Sequence, residues 1–313
     1  MTTNELHVIF GTGPVGYWTM VELINLGKRV RMVNRSGKAD VPAGVEVIAA
    51  DAYDLNSTKA AVQGAAAVYQ SAQPHYHEWV EKFPALQNNI LEAAASVGAK
   101  LIVTDNLYMY GDPQGKTITE NMPYQAHTRK GKVRAAMAEA VLSAHRAGKV
   151  RAAIGRASDF WGPRDMVQGL QLFYPALAGQ TVNLLGDVQQ PHCFTYVKDF
   201  GTALATLGTR DESLGQIWIA PTNAPITQAD LLKLVESEIG QPIKYRVGGK
   251  LILSVMGLFN KSAGEVVEML YEFTKPFVVS SQKFEQVFGI RPTPLKQAVT
   301  ETVAWFKENP KPE

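Results

Sequence analysis

The hexapeptide Gly11-Thr12-Gly13-Pro14-Val15-Gly16 follows the apolar run Leu6-His7-Val8-Ile9-Phe10 and opens an apolar helical stretch. A strand that turns on glycines into a helix presents free backbone N–H groups, at the positive end of that helix, to a phosphate. Each glycine has its own expected task. Gly11 permits the tight turn, Gly13 removes a side chain that would block a pyrophosphate, and Gly16 lets helix and strand pack closely. Thr12, Pro14 and Val15 complete this cofactor-binding turn. The chemistry implied is the binding of a nicotinamide dinucleotide.

Sites of this type usually carry Asp or Glu at the end of the second strand, about 20 residues on, to hold the ribose hydroxyls. Here the residues are Asn34-Arg35-Ser36. A carboxylate would repel a 2′-phosphate, whereas Arg35 pairs with one through a planar, charge-assisted contact and Ser36 donates a further hydrogen bond. NADP(H) is therefore expected ahead of NAD(H), against the plainer reading of Arg35 as a solvated loop cation. Asp51, at the end of the third strand, is expected either to accept a hydrogen bond from the adenine amine or to form an Asx turn near Asp54.

Strand-like runs at Leu6–Phe10, Arg29–Val33, Val45–Ala49, Ala66–Ser71, Lys100–Thr104 and Val150–Ala157 alternate with helical periodicity. The helices are expected at Val15–Leu26, near Ser57–Val62, between Tyr76 and Val97 with a kink at Pro84, and around Thr128–Ala147. This predicts an α/β fold, a Rossmann doubly wound parallel sheet with a smaller interleaved C-terminal substrate lobe. Residues 1–160 form the cofactor domain, 190–222 return to it through a helix at Asp199–Leu207 and a strand at Gln216–Ile219, and 161–189 with 223–313 make the lobe. Thr227-Gln228-Ala229-Asp230 and Thr293-Pro294 are expected helix starts. Because ligands in such sheets sit at the carboxyl ends of strands, Ala72 and Gln73 are expected beside the cofactor. Pro74 and Tyr76 are expected near the nicotinamide and substrate, with Asp159, Phe160 and Trp161 as the opposite wall.

Lys and Arg total 31 against 29 for Asp and Glu, and no run of five or six like charges occurs, so nucleic acid is not an expected partner. The single cysteine, Cys193, excludes an intrachain disulfide framework; with a start that lacks a basic n-region, it points to the cytoplasm. Cys193 is expected to be a buried small residue. The apolar stretch Leu251–Phe259 is far short of the ~20 residues that span a bilayer, which predicts a buried or interfacial helix and no membrane partner. His75 and His77 lie two apart with no Cys, Asp or Glu at useful spacing, so no metal is expected.

Further motifs carry a resemblance. Tyr110-Gly111 follows the fifth strand, Gly162-Pro163-Arg164 the sixth, Phe194-Thr195-Tyr196-Val197-Lys198-Asp199 precedes a helix, and a Trp305 helix follows Pro292-Thr293-Pro294. With the glycine turn, these make nearly the whole chain resemble the extended short-chain dehydrogenase/reductase superfamily, in the epimerase/dehydratase-like group, as an atypical member. The resemblance implies hydride transfer assisted by a serine or threonine, a tyrosine acid/base and a lysine four residues after that tyrosine. The lysine best matches Lys132, which also holds the ribose; four residues before it stands Thr128, and no tyrosine. The serine position, five before Gly111, matches Asn106, an amide that still donates to a carbonyl.

Three readings of the missing tyrosine follow: Tyr108 or Tyr110 supplies the proton, with Tyr108 the better candidate; Thr128 relays one through water beside Lys132; or chemistry is lost and binding kept. Where superfamily members that use nucleotide sugars place an arginine for the diphosphate, this chain has His192. The expected activity is NADP(H)-dependent reduction of a small, largely apolar aldehyde, ketone or activated alkene, with Tyr110 and His192 among the substrate contacts. The alternatives are an epimerase or dehydratase that retains NAD(P), and a catalytically silent NADP(H)-sensing protein. The resemblance also implies a homodimer through helices near 80–97 and 128–147.

Overall fold

Strand β1 (Leu6–Phe10) is buried at every position, the mark of a strand at the centre of a parallel sheet covered on both faces. In the computed structural model, which describes residues 5–249 and 265–311, it pairs in parallel with β2 (Arg29–Asn34) on one side and β4 (Ala65–Gln70) on the other. β3 (Glu46–Ala49) lies outside β2, while β5 (Lys100–Asp105), β6 (Arg151–Arg156) and β10 (Ile217–Ile219) extend the opposite side. All six pairings are parallel, and the order is β3-β2-β1-β4-β5-β6-β10. The expected Rossmann sheet is present, with the return strand β10 as its last member.

One face is covered by α1 (Pro14–Asn25) and α7 (Val197–Thr209), where Ile9, Met20, Leu23, Tyr69, Phe200 and Leu204 pack together. The other carries α2 (Leu55–Ala61), α3 (Trp79–Ser96) and α4 (Arg129–Arg146), with Val8, Val68, Leu101, Phe83, Ile90 and Val141 in a second cluster. Pro84 lies inside α3 at an exposed position. The chain runs from β1 outward to β3 and then crosses back to β4, so the order reverses between the carboxyl ends of β1 and β4. Ligands bind at such a reversal.

The segments between β6 and β10, and those after β10, build another cluster around Trp161, Phe173, Tyr196, Val235, Val299 and Phe306. Here β7 (Asp159–Trp161) pairs with β9 (Phe194–Tyr196), and β8 (Val182–Leu185) pairs with β11 (Tyr245–Gly248). Helix α8 (Gln228–Ile239) starts as its sequence predicts, with Thr227 Oγ1 accepting from the Asp230 N–H at 3.0 Å. Thr293 does not cap the last helix, α11 (Leu295–Glu308). Its hydroxyl donates to Asp199 at 2.6 Å, which anchors this helix to α7 instead. Short helices also form at α5 (Met166–Gln168), α6 (Tyr174–Leu177), α9 (Tyr271–Thr274) and α10 (Gln282–Phe288). The stretch Leu251–Phe259 lies outside the described residues, among which no helix is long and apolar enough to cross a membrane.

Candidate active site

The glycine turn sits at the reversal point. Gly11 has φ +107°, and a Cβ there would lie 2.7 Å from the Ser71 carbonyl carbon and the Ala72 nitrogen, at the end of β4. A Cβ on Gly16 would collide with the Gly11 carbonyl oxygen, so glycine is required at 16 for α1 to pack on the turn and at 11 for the turn to pack on the chain leaving β4. Gly13 is different: a Cβ there meets nothing within 4 Å. Its missing side chain leaves open space beside the first turn of α1, where no side chain caps the helix. Pro14 occupies the first helical position, where an N–H would have no intrahelical partner. Val15 is held inside the turn's own packing, its carbonyl accepting from the Thr19 hydroxyl at 2.8 Å. These features fit a pyrophosphate.

A cleft of about 470 Å³ runs from the turn, bordered by Gly11, Arg35, Asp51, Gln73, Pro74 and Tyr76. Asn34 also borders it, but its carboxamide is committed to the surrounding loop. Its Nδ2 donates to Thr12 Oγ1 (3.0 Å) and the Lys38 carbonyl (2.8 Å), and its Oδ1 accepts from the Gly37 N–H (2.7 Å) and Ser36 Oγ (3.1 Å). The Ser36 proton is thereby committed within the loop, which corrects the expectation that it is free for a ligand. Arg35 is exposed and has no ion-pair or hydrogen-bond partner among the described residues. Asp51 both borders the cleft and forms the Asx turn, accepting from the Tyr53 N–H at 3.0 Å.

The cleft continues into an inner pocket of about 240 Å³, and Ala72, Gln73 and Tyr76 line both. Asn106 enters it from the end of β5; its Oδ1 accepts from the Tyr108 N–H at 3.3 Å, and its NH2 group has no partner among the described residues. Tyr76 donates to the Tyr108 hydroxyl at 3.4 Å, and the Tyr108 proton has no acceptor among the described residues. Burial pushes both phenols up from their ordinary value. Across the pocket stand Asp159 and Phe160.

His192 lies behind Asp159 and does not line the pocket. Its Nδ1 is 3.1 Å from the Glu272 carbonyl oxygen, which only accepts, so Nδ1 carries a proton and Nε2 faces Asp159 Oδ2 at 2.9 Å. Glu272 itself lines the pocket, and burial together with the neighbouring Asp159 carboxyl pushes its acid well above the usual range. Gln70 and Ser158 add further buried polar groups. The lining mixes aromatic and polar side chains, and a largely apolar substrate would leave the buried polar groups of Gln70 and Ser158 unmet.

Helix α4 presents a face other than the one expected. Thr128 is its N-cap, Oγ1 accepting from the Gly131 N–H at 3.0 Å, and Lys132 is exposed. Neither lines the cleft or the pocket. Residues two apart on a helix point nearly opposite ways, so with Lys132 outward, Lys130 and Arg134 turn inward. Lys130 Nζ sits 4.4 Å from the centre of the Tyr76 ring and is ion-paired with Glu265 and Glu268. Arg134 binds Asp105 through Nε (2.9 Å) and Nη2, and the Thr104 carbonyl (3.0 Å).

Asp105 also holds Arg156, at 2.9 Å. Burial works against the Arg156 charge, but Asp105 outweighs it and keeps the guanidinium protonated. Arg156 in turn donates to the Tyr110 hydroxyl at 2.6 Å, so Tyr110 is fully buried beneath the site and is not a substrate contact. Trp161 is likewise buried, against Tyr196, outside the pocket. The residues that sequence reading missed are Gln70, Lys130, Arg134, Ser158 and Glu272. The buried stripe Gly131, Arg134, Ala138, Val141 has helical spacing and could have revealed Arg134; nothing local marks Glu272. Among the described residues, no three His, Cys, Asp or Glu side chains gather to hold a metal ion.

A parallel sheet with a glycine turn at its reversal point, an open cleft and an adjoining pocket defines an NAD(P)-binding enzyme of the Rossmann type. The model of the NAD dependent epimerase/dehydratase family matches residues 8–219, and the chain belongs to that family. Among solved structures, the UDP-glucose 4-epimerase of Thermus thermophilus in complex with NAD has a TM-score of 0.79 at 19% identity, over 97% of this chain and 99% of that one. The Thermotoga maritima UDP-glucose 4-epimerase with UDP-glucose gives 0.78 at 16%, over 97% and 99%. The dTDP-glucose 4,6-dehydratase of Bacillus anthracis in complex with NAD gives 0.79 at 14%, over 97% of each chain. At these identities the likeness is one of fold. No curated protein sequence matches the chain.

Proposed function

We propose that the protein is an NADP(H)-dependent oxidoreductase that reduces a small aldehyde, ketone or activated alkene. The observation that carries this reading is the meeting of the Asn106 amide and the Tyr108 hydroxyl in a pocket that opens directly from the dinucleotide cleft. Gly11, Gly13 and Gly16 with the first turn of α1 would hold the pyrophosphate, and Arg35 the 2′-phosphate. The bound cofactor supplies a hydride to the substrate carbon.

The chain's own groups manage the oxygen. The free Asn106 NH2 donates to it and draws electron density from the reacting carbon. Tyr108 then gives its proton to the oxygen, and the hydrogen bond from Tyr76 stabilises the phenolate left behind. The Tyr108 phenol is protonated at neutral pH, as a donor in the reductive direction must be; burial makes it a weaker acid, so the transfer is driven by the charge that develops on the substrate oxygen. Lys130, with its charge balanced by Glu265 and Glu268, packs over the Tyr76 ring and fixes its position.

The test is an NADPH-oxidation screen over aldehydes, ketones and enones. Tyr108→Phe is expected to lower kcat by about 10²–10⁴-fold with a smaller change in KM. Activity unchanged in both Tyr108→Phe and Asn106→Ala would reject the assignment. A second reading, proton abstraction in an epimerase or dehydratase, is favoured by the two carboxyl groups, Asp159 and Glu272, that line the same pocket. It predicts cofactor that stays bound through purification and no net NADPH consumption.

A further inference from the structure

Among the described residues, six buried side-chain nitrogen or oxygen atoms lack a hydrogen-bond partner, and four of them belong to residues lining the inner pocket. These four are Gln70 Oε1 and Nε2, Ser158 Oγ and Glu272 Oε1. Gln70 ends β4, Ser158 follows β6 and Glu272 belongs to α9, so three separate parts of the chain bring unmet polar groups to one small space. Buried polar groups in folded proteins are almost always paired, and a cluster of exceptions calls for a bound partner.

The charges around these atoms narrow what that partner is. Arg134, the guanidinium in the lining, is committed to Asp105 and the Thr104 carbonyl, so among the described residues the lining offers an anion no unpaired cation. Asp159 is engaged by His192. The orphaned atoms include a donor-only amide nitrogen, an acceptor-only amide oxygen and a hydroxyl that does both, a set matched by groups that also do both. Trp79, Phe83, Phe160 and Phe277 supply apolar faces to the same space. We propose that the inner pocket takes a small uncharged carbonyl compound bearing one or more hydroxyl groups, which Gln70, Ser158 and Glu272 hold by hydrogen bonds. The proposal deepens the reductase reading of this site and rests on it.

The experiment uses the full chain saturated with NADP⁺ and titrates it calorimetrically with dihydroxyacetone, its isostere pentan-3-one, pyruvate and aminoacetone. NADPH oxidation is followed in parallel. Dihydroxyacetone is expected to bind at least about tenfold more tightly than pentan-3-one, because a site built for hydroxyls rejects the analogue that leaves its buried groups unpaired. Ser158→Ala and Glu272→Leu are expected to narrow that gap. Equal or reversed preference, tightest binding of pyruvate or aminoacetone, or no measurable binding of any of the four would overturn the proposal. A binding preference for dihydroxyacetone with no carbonyl reduced across the wider screen upholds the hydroxyl site and overturns the reductase reading. Reduction of pentan-3-one as efficient as that of dihydroxyacetone, with equal binding, does the reverse.

Discussion

Asn34 uses both ends of its carboxamide to tie the loop after β2 to the glycine turn, so under the proposed function discrimination between the two cofactors would fall to its neighbour. Arg35 stands free at that edge. A charge-assisted contact is worth roughly 1.5–3 kcal/mol when made, and exposure keeps this one at the low end. Arg35→Ala is therefore expected to raise KM for NADPH by about tenfold and to leave KM for NADH nearly unchanged. Steady-state kinetics with both cofactors checks this, and equal loss with NADH would assign Arg35 to the loop instead. The residue-scale chemistry was legible where backbone alone decides it, as at Gly11 and Gly16. Ser36 misled because its hydroxyl finds its partners within its own loop, a matter of local geometry that residue type does not display.

At the scale of the element, α4 decides which side chains meet the pocket. Its N-cap fixes the helix phase: with Thr128 as cap, Lys130 and Arg134 turn inward and Lys132 outward. Thr128→Ala is expected to cost about 1 kcal/mol of stability, read from urea midpoints. Lys132→Ala is expected to leave kcat/KM within a factor of about two, since exposed substitutions away from a site are near neutral. The strands of the sheet were readable because burial on both faces writes itself as continuous apolar runs. The inward face of α4 was not, because a lysine at the spacing of the resemblance outweighed the helical period. Tyr110 was misplaced for a related reason: the partner that buries its hydroxyl, Arg156, comes from another strand, 46 residues away.

For the whole molecule, two buried groups make stability depend on pH in opposite senses. Burial lowers His7, beside the Tyr69 hydroxyl, to about 4, so its contribution is present above its unfolded value and is lost as pH falls toward 4. Burial raises Asp165 to about 6, so its contribution is present below its unfolded value and is lost as pH rises through 6. His7→Gln is expected to gain on the parent protein as pH drops from about 7 to about 4.5, and Asp165→Asn to gain as pH climbs across the same interval. Denaturant unfolding at both pH values measures each trend, and a parallel offset at the two values would show that the site's titration plays no part. Neither effect was visible in sequence, because both arise from burial contributed by distant segments.

The Arg134–Asp105–Arg156 trio sets two cations against one anion under the floor of the pocket, with all three side chains buried. In a medium of low polarisability such a surplus of positive charge acts on whatever occupies the space above it, opposed by the Asp159 carboxyl across the pocket. The oxidised nicotinamide ring is a cation and the reduced ring is neutral. The protein is therefore expected to hold NADPH more tightly than NADP⁺ and to raise the midpoint potential of the bound couple, so that the molecule retains a loaded reductant between encounters. The ratio of the two dissociation constants reads this out, and a ratio of one or below would show that the trio's field does not reach the ring.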